Sequence, residues 1–247
     1  MNNLYTLSAR GKFLGIEVRI NDIPLAIFNA GGNLPDARIN HYVIPGKNVA
    51  TLHASNASDR AAVHRDSLTL LSIERGGVQI TQSNWTANPQ APALPPEMSL
   101  EFDAGAGVGD WSWLTAPVIT EPVPNVQALH NLLSQLHNAM QFIDIDAVMD
   151  LLALKNMEMI QAFGIDSARM LAAQRAFFAG LFAAANWAMA PLNLTNVGFE
   201  RCANGRMVRP VSSTGENPIS STPGASGEVF VLPVLASHFS DGWKIVR

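Results

Sequence analysis

At 247 residues, with 48% hydrophobic and only 15% charged side chains, the chain supplies a packed core readily and intrinsic disorder is excluded. Lys and Arg (16) against Asp and Glu (20) leave a net charge of −4, and the basic residues are scattered, which excludes an electrostatic footprint for nucleic acid. The longest apolar stretch, residues 176–190, is too short to span a bilayer and carries Asn186. The first fifteen residues hold no basic end followed by an apolar core, so no secretory signal and no membrane association are expected. A single cysteine, Cys202, rules out an internal disulfide; it fits a reducing, bacterial-type cytoplasm and reads as a small buried apolar residue.

Up to about residue 120 the runs are short and β-like: LYTLSA, GIEVRI, PLAIFN, INHYVI, VATLHA, SLTLLSIE, GVQITQ, MSLEFD and WSWLTA. Asn-Asp, Gly-Gly, Pro-Gly and Arg-Gly-Gly turns separate them at intervals near ten residues, the rhythm of an all-β sandwich. Prolines make residues 83–97 a loop between strands. In DAGAGVGDW, residues 103–111, the third glycine falls one residue early for a dinucleotide fingerprint, so the segment reads as a connecting loop. Prolines 117, 122 and 124 stiffen residues 115–125 into a linker, giving a β-sandwich domain over 1–118 and a second domain over 124–247.

Two corners in the first half carry specific turn chemistry. Asn21-Asp22, inside RINDIPLAIF, tolerates positive φ at a tight bend, and Pro45-Gly46-Lys47-Asn48 sets a turn before VATLHA. Strand, Asn corner, strand, Pro-Gly-x-Asn turn and strand, in that order over residues 3–55, resembles the galactose-binding-like jelly-roll sandwiches attached to many glycoside-processing enzymes. The resemblance implies a sandwich that serves as a scaffold or interaction module, or that binds sugar.

The second half opens helical. Leu129, Leu132, Leu133, Leu136, Met140 and Ile143 form an amphipathic stripe over 125–142. Asp144 is placed to cap a second helix running through Ile145, Val148, Met149, Leu152, Asn156, Met159 and Phe163 to a stop at Gly164. Asp166 or Ser167 starts a third helix, apolar around most of its circumference and stopped by Pro191, which is expected to be the central buried helix. Four strand candidates follow, LNLTNVGFERC, RMVRPV, GEVFVLPVLASHF and WKIVR, with hairpin turns at Asn204-Gly205 and Asp241-Gly242. Counting back from Asn204-Gly205 sets Glu200 opposite Arg209 as a cross-strand ion pair.

Helices followed by an antiparallel meander ending in FSDGWKIVR, with AMQFIDIDAVMDLLA as the opening helix pair, resemble the nuclear-transport-factor-like cone fold, which includes ketosteroid-isomerase-type enzymes. The resemblance covers about residues 125–247 and implies helices packed on a curved antiparallel sheet, an α+β domain. That family usually has a short hairpin between its second and third helices, whereas residues 157–170 show helix signals here. Its isomerase-type members place an Asp or Glu base opposite a polar donor in an apolar cavity, and no matching pair is readable.

Asp144, Asp146 and Asp150 sit where a helix N-terminus favours acids, so capping and solvation account for them. His130 and His137 are seven apart, about 10 Å along a helix, too far for one metal ion. No metal, cofactor or catalytic residue is predicted. The ligand-pocket candidates are Trp187, Glu200, His238 and Trp243, lining a pocket between the third helix and the concave face of the sheet. If Phe177, Phe178 and Phe182 fill that space instead, the pocket is lost. Two functions are expected accordingly. The first is a non-catalytic interaction or accessory protein with a protein partner or a second copy of itself. The alternative binds a small apolar ligand, or is an isomerase- or hydrolase-type enzyme using the cone pocket.

Overall fold

The computed structural model describes residues 4–59, 61–105, 108–184, 186–224 and 226–247. These residues form three antiparallel four-stranded sheets and four α-helices, so the chain is mostly β. It divides into two compact units, Met1–Asp110 and Trp111–Arg247.

The first unit contains β1 (Tyr5–Lys12), β2 (Leu14–Ile20), β3 (Ile23–Phe28), β4 (Gly32–Arg38), β5 (Lys47–Asn56), β6 (Leu68–Arg75), β7 (Val78–Thr86) and β8 (Met98–Asp103). One sheet has the order β4-β1-β6-β7 and the other β3-β2-β5-β8. Alternation along the strands delivers Leu7, Leu71 and Ile73 from the first sheet and Ile16, Val18, Leu52 and Leu100 from the second into one shared core. β4 was not foreseen: Gly-Asn-Leu-Pro-Asp-Ala-Arg has poor strand propensity, and its Pro35 is tolerated because β4 is an edge strand. INHYVI, expected as a strand, instead makes a single 3-10 turn over Asn40–Tyr42. There the buried Asn40 side chain accepts the Tyr5 N–H at 2.7 Å, which competes with a ladder.

The two Asn-bearing corners are bonded to each other. Asn21 Nδ2 donates to Asn48 Oδ1 (2.8 Å) and to the Tyr42 carbonyl (2.9 Å), while Asn21 Oδ1 accepts the Val49 N–H at 3.0 Å. Asn48 is fully buried, and its Nδ2 donates to the carbonyls of Ile44 (2.9 Å) and Gly46 (2.8 Å) while Oδ1 also accepts the Ile44 N–H. Asn21 and Asp22 both have positive φ, at 51° and 62°, which Asn and Asp accept more readily than most residues.

In the second unit α1 (Val126–Gln141) buries Leu129, Leu132, Leu133, Leu136, Ala139 and Met140, whereas Ile143, counted in the same stripe, lies past the helix end and is half exposed. The Asp144 and Asp166 caps are made: their carboxylates accept the N–H groups of Ala147 (3.0 Å) and Arg169 (2.8 Å), and Gly164 ends its helix at φ 59°. The expected second helix is two, α2 (Ile145–Leu151) and α3 (Ala153–Phe163), because the backbone at Leu152 leaves helical ψ. α4 (Ser167–Phe182) ends well before Pro191.

The third sheet runs β12-β11-β10-β9, from β9 (Val197–Cys202), β10 (Met207–Ser212), β11 (Ala236–Phe239) and β12 (Gly242–Ile245). GEVFVLPVLASHF is a strand only over its last four residues; upstream, Val231 makes an isolated bridge with Ser220 and Pro233 has no N–H to donate. Glu200 does pair with Arg209, through a turn in which Ala203, Asn204 and Gly205 all have positive φ. In the last hairpin Phe239 opposes Gly242, so Ser240-Asp241 forms the turn rather than Asp241-Gly242. That register differs by two residues from the counted one, which keeps every side chain on its expected face.

The proline-bearing stretch 115–125 is not a free spacer, and WSWLTA is not a strand. A 3-10 turn spans Ser112–Leu114, Ala116 and Ile119 are buried, the Ile119 N–H donates to the Gly205 carbonyl (2.7 Å) and the Arg206 guanidinium donates to the Ala116 carbonyl. All these partners belong to the second unit, so the division falls at Asp110/Trp111.

Replacing Asn48 removes four side-chain hydrogen bonds at a fully buried position and leaves their partly buried backbone partners without them. We expect Asn48→Ala to destabilise the chain by about 3 kcal/mol. A urea midpoint that does not move would show that the tie between the corners contributes nothing.

Candidate functional site

The space between the helices and the third sheet is filled by core. Phe178 and Phe182 lie in one buried cluster with Leu129, Leu133, Met140, Val208, Trp243 and Ile245. Phe177, the third phenylalanine of α4, points elsewhere and is 54% exposed.

The four predicted pocket residues are not brought together. Trp187 lies beyond the end of α4, where its Nε1 donates to the Met140 carbonyl at 3.0 Å and its ring packs on Phe182 and Phe230. Glu200 lies between Val197, Phe199 and Arg201 on the pleat, on the side away from the core that Val197 and Phe199 join, and is held by the Arg209 guanidinium. Trp243 is buried in the core. His238 stands opposite it, rings edge to face at 5.0 Å, and His238 Nε2 lies in hydrogen-bond contact with the Asn125 side-chain amide at 3.2 Å. His238 therefore latches the start of α1 to the final hairpin.

Trp187 does border an open cleft. It lies between the C-terminal end of α4 and residues 221–224 and 226–230, has a volume of about 460 Å³ and is walled by Leu181, Trp187, Val229 and Phe230. A second feature is α4 itself. The expected central buried helix buries only Phe178 and Phe182. Ala172, Ala173, Ala176, Ala179 and Gly180 face outward. Beside them stands the corner after α1, where Phe142 is 78% exposed and Ile143 has φ 61°. Ile143 lines the same groove as Ala176 and Ala179, with Asp146 paired to the Arg175 guanidinium at its edge.

The third feature is a buried charge cluster that the sequence reading missed. Glu158 is 3% exposed; its Oε1 accepts both the Ser112 N–H (2.7 Å) and the Ser112 hydroxyl (2.5 Å), and its Oε2 takes the Arg247 guanidinium. Arg247 in turn lies over the Trp111 ring at 5.4 Å. The neighbouring Lys155 is half-buried, and burial followed by repulsion from Arg247 brings its ammonium down to about 8. No local sequence signal marks this cluster, because its members lie on α3, at Ser112 and at Arg247, far apart in the chain.

Among the described residues no three His, Cys, Asp or Glu side chains gather into a metal-binding group, and no helix is long and apolar enough to cross a membrane. Comparison with known proteins gives no match: no protein-family model, curated protein or solved structure is similar to this chain.

The Lys155 shift sets a pH dependence. Its ammonium titrates near 8 in the fold and near 10.5 when unfolded, so between these values the unfolded chain holds more protons and stability rises with pH. Below about 8 both states are protonated and the full penalty of burying the charge stands. Lys155→Met should flatten the rise in urea midpoint between about pH 7.5 and 10 and raise the midpoint at pH 7. An unchanged pH profile in the variant would show that Lys155 is not the group responsible.

Proposed function

We propose that this chain is a non-catalytic recognition protein of the cytoplasm, with the second unit carrying the binding surface. We read the first unit as a jelly-roll-like sandwich acting as scaffold, and the second as a nuclear-transport-factor-like helix-on-sheet domain. The observation that carries the reading is α4, a sixteen-residue helix that buries two side chains and turns an alanine- and glycine-rich face outward. Contiguous apolar surface of this kind marks an interface rather than a solvated helix. The partner is a protein, or a second copy of this chain. The alternative, an isomerase- or hydrolase-type enzyme acting in the cone, has less support because Phe178 and Phe182 join the core where its substrate would sit.

A photoreactive residue in place of Ala176 tests the reading in the native cell. It should trap one discrete adduct, and Ala179→Glu together with Gly180→Arg should abolish it while leaving the unfolding midpoint within about 0.5 kcal/mol of the parent, as for exposed substitutions. Diffuse or absent crosslinking would overturn it.

A further inference from the structure

The cleft beside Trp187 has chemistry of its own, distinct from the groove side of α4. Its volume of about 460 Å³ suits a small organic molecule or one large side chain. Trp187 and Phe230 stand with ring centroids 6.1 Å apart, and both are held in place. The indole is fixed by its bond to the Met140 carbonyl and by Phe182 at 5.0 Å; the backbone of Phe230 is fixed by its N–H donating to Ser221 Oγ at 2.9 Å. The walls are therefore formed before any ligand arrives.

The polar groups decide what fits. Ser221 Oγ donates to the Thr222 carbonyl (2.9 Å) as well as accepting from Phe230, and Thr222 Oγ1 donates to the Ala188 carbonyl (3.3 Å), so these two hydroxyls are committed to backbone; the other polar side chains of the lining, Asn186 and Ser226, are neutral. Among the residues lining the cleft only Glu228 carries a charge; no Lys, Arg or His is present. Glu228 is exposed and makes no ion pair among the described residues. An anion would meet a carboxylate with no cation to offset it. A neutral apolar molecule would gain nothing from that carboxylate. A weakly hydrated cation with an apolar body uses both features, placing its charge beside Glu228 and its methyl or methylene groups on the electron-rich ring faces.

We propose that this cleft binds an organic cation, a quaternary ammonium or guanidinium group, with Trp187 and Phe230 as its aromatic walls and Glu228 as its counter-ion. The inference rests on the recognition reading and names the chemistry recognised at one part of that surface. The cation comes either from a free small amine or from an arginine side chain of a bound protein.

The test is a tryptophan-fluorescence titration of the full chain with choline, with Nα-acetylarginine amide, and with the uncharged carbon isostere of choline, at constant ionic strength. Choline or the arginine amide should saturate in roughly the millimolar range, as expected for an exposed cation–π site, and the isostere should not. Glu228→Gln, an exposed loop change that leaves the fold intact, should weaken binding by about fivefold or more. Tighter choline binding assigns the site to a free amine, and tighter arginine binding assigns it to a protein side chain. Equal saturation by the isostere, an unaltered affinity in Glu228→Gln, or no saturation by either cation would overturn the proposal. Crosslinking from position 176 in the parent chain separates the two ideas: an adduct formed while neither cation saturates sinks the cation site alone, and absence of the adduct sinks the recognition reading itself.

Discussion

The second unit is organised around one buried ion pair. Glu158 and Arg247 are both almost wholly out of water, and a carboxylate so placed is tolerated only with its oxygens satisfied. The Arg247 guanidinium takes one oxygen and the Ser112 N–H and hydroxyl take the other. Three separate stretches are thereby fixed together: α3, the end of the chain after β12, and the turn at Ser112. Removing any one partner would leave a charge or a donor buried alone, so these pieces must assemble jointly. This is why residues 111–119, which in the sequence look like a last strand of the first half running into a linker, belong to the second unit.

With α3 anchored this way, the core is closed largely by α1. Its six buried residues, together with Val148 and Met149 of α2, meet Val208, Ala236, Trp243 and Ile245 from the sheet. Little room is left for another helix, and α4 fully buries only Phe178 and Phe182, with Leu171 and Leu181 packed partly buried against the same core. The outward position of an apolar helix is thus a consequence of how completely its neighbours fill the interior. The proposed recognition draws on that surplus: a surface rich in alanine and glycine allows close approach of another backbone, while the cleft at its far end offers aromatic walls.

Local chemistry was legible in the sequence and relative burial was not. The Asp144 and Asp166 caps, the Gly164 stop and the Glu200–Arg209 pair depend on groups within a few residues of one another, or on a two-strand register, and all are present as read. The Asn21 and Asn48 corners were visible as turns, but their mutual hydrogen bond spans 27 positions and needed the fold. The same distance problem hid Glu158 and Arg247, 89 positions apart. α4 misled for a related reason. Hydrophobic periodicity reports which residues could be buried, and competition among helices for a finite core decides which ones are. Trp187 borders a cleft at the C-terminal end of α4 rather than the expected pocket between that helix and the sheet, and His238 and Trp243 are not its companions, because the final hairpin faces α1.

Two local costs fall on the same outward side of the second unit, and neither is repaid inside the chain. Ile143 occupies the left-handed region at φ 61°, where a β-branched residue is strained by roughly 1 kcal/mol or more and glycine is the usual occupant of such a helix end. The side chain it holds is half exposed, so burial does not compensate. Gly180 sits inside α4, where glycine costs about 1 kcal/mol relative to alanine, yet a methyl group there would meet nothing within 4 Å. A chain under pressure only to fold would place glycine at 143 and alanine at 180. The opposite choice at both positions makes sense if Ile143 and the glycine-lined helix are shaped for contact with something outside this chain. The groove that joins Ile143 to Ala176 and Ala179 makes that contact one surface rather than two.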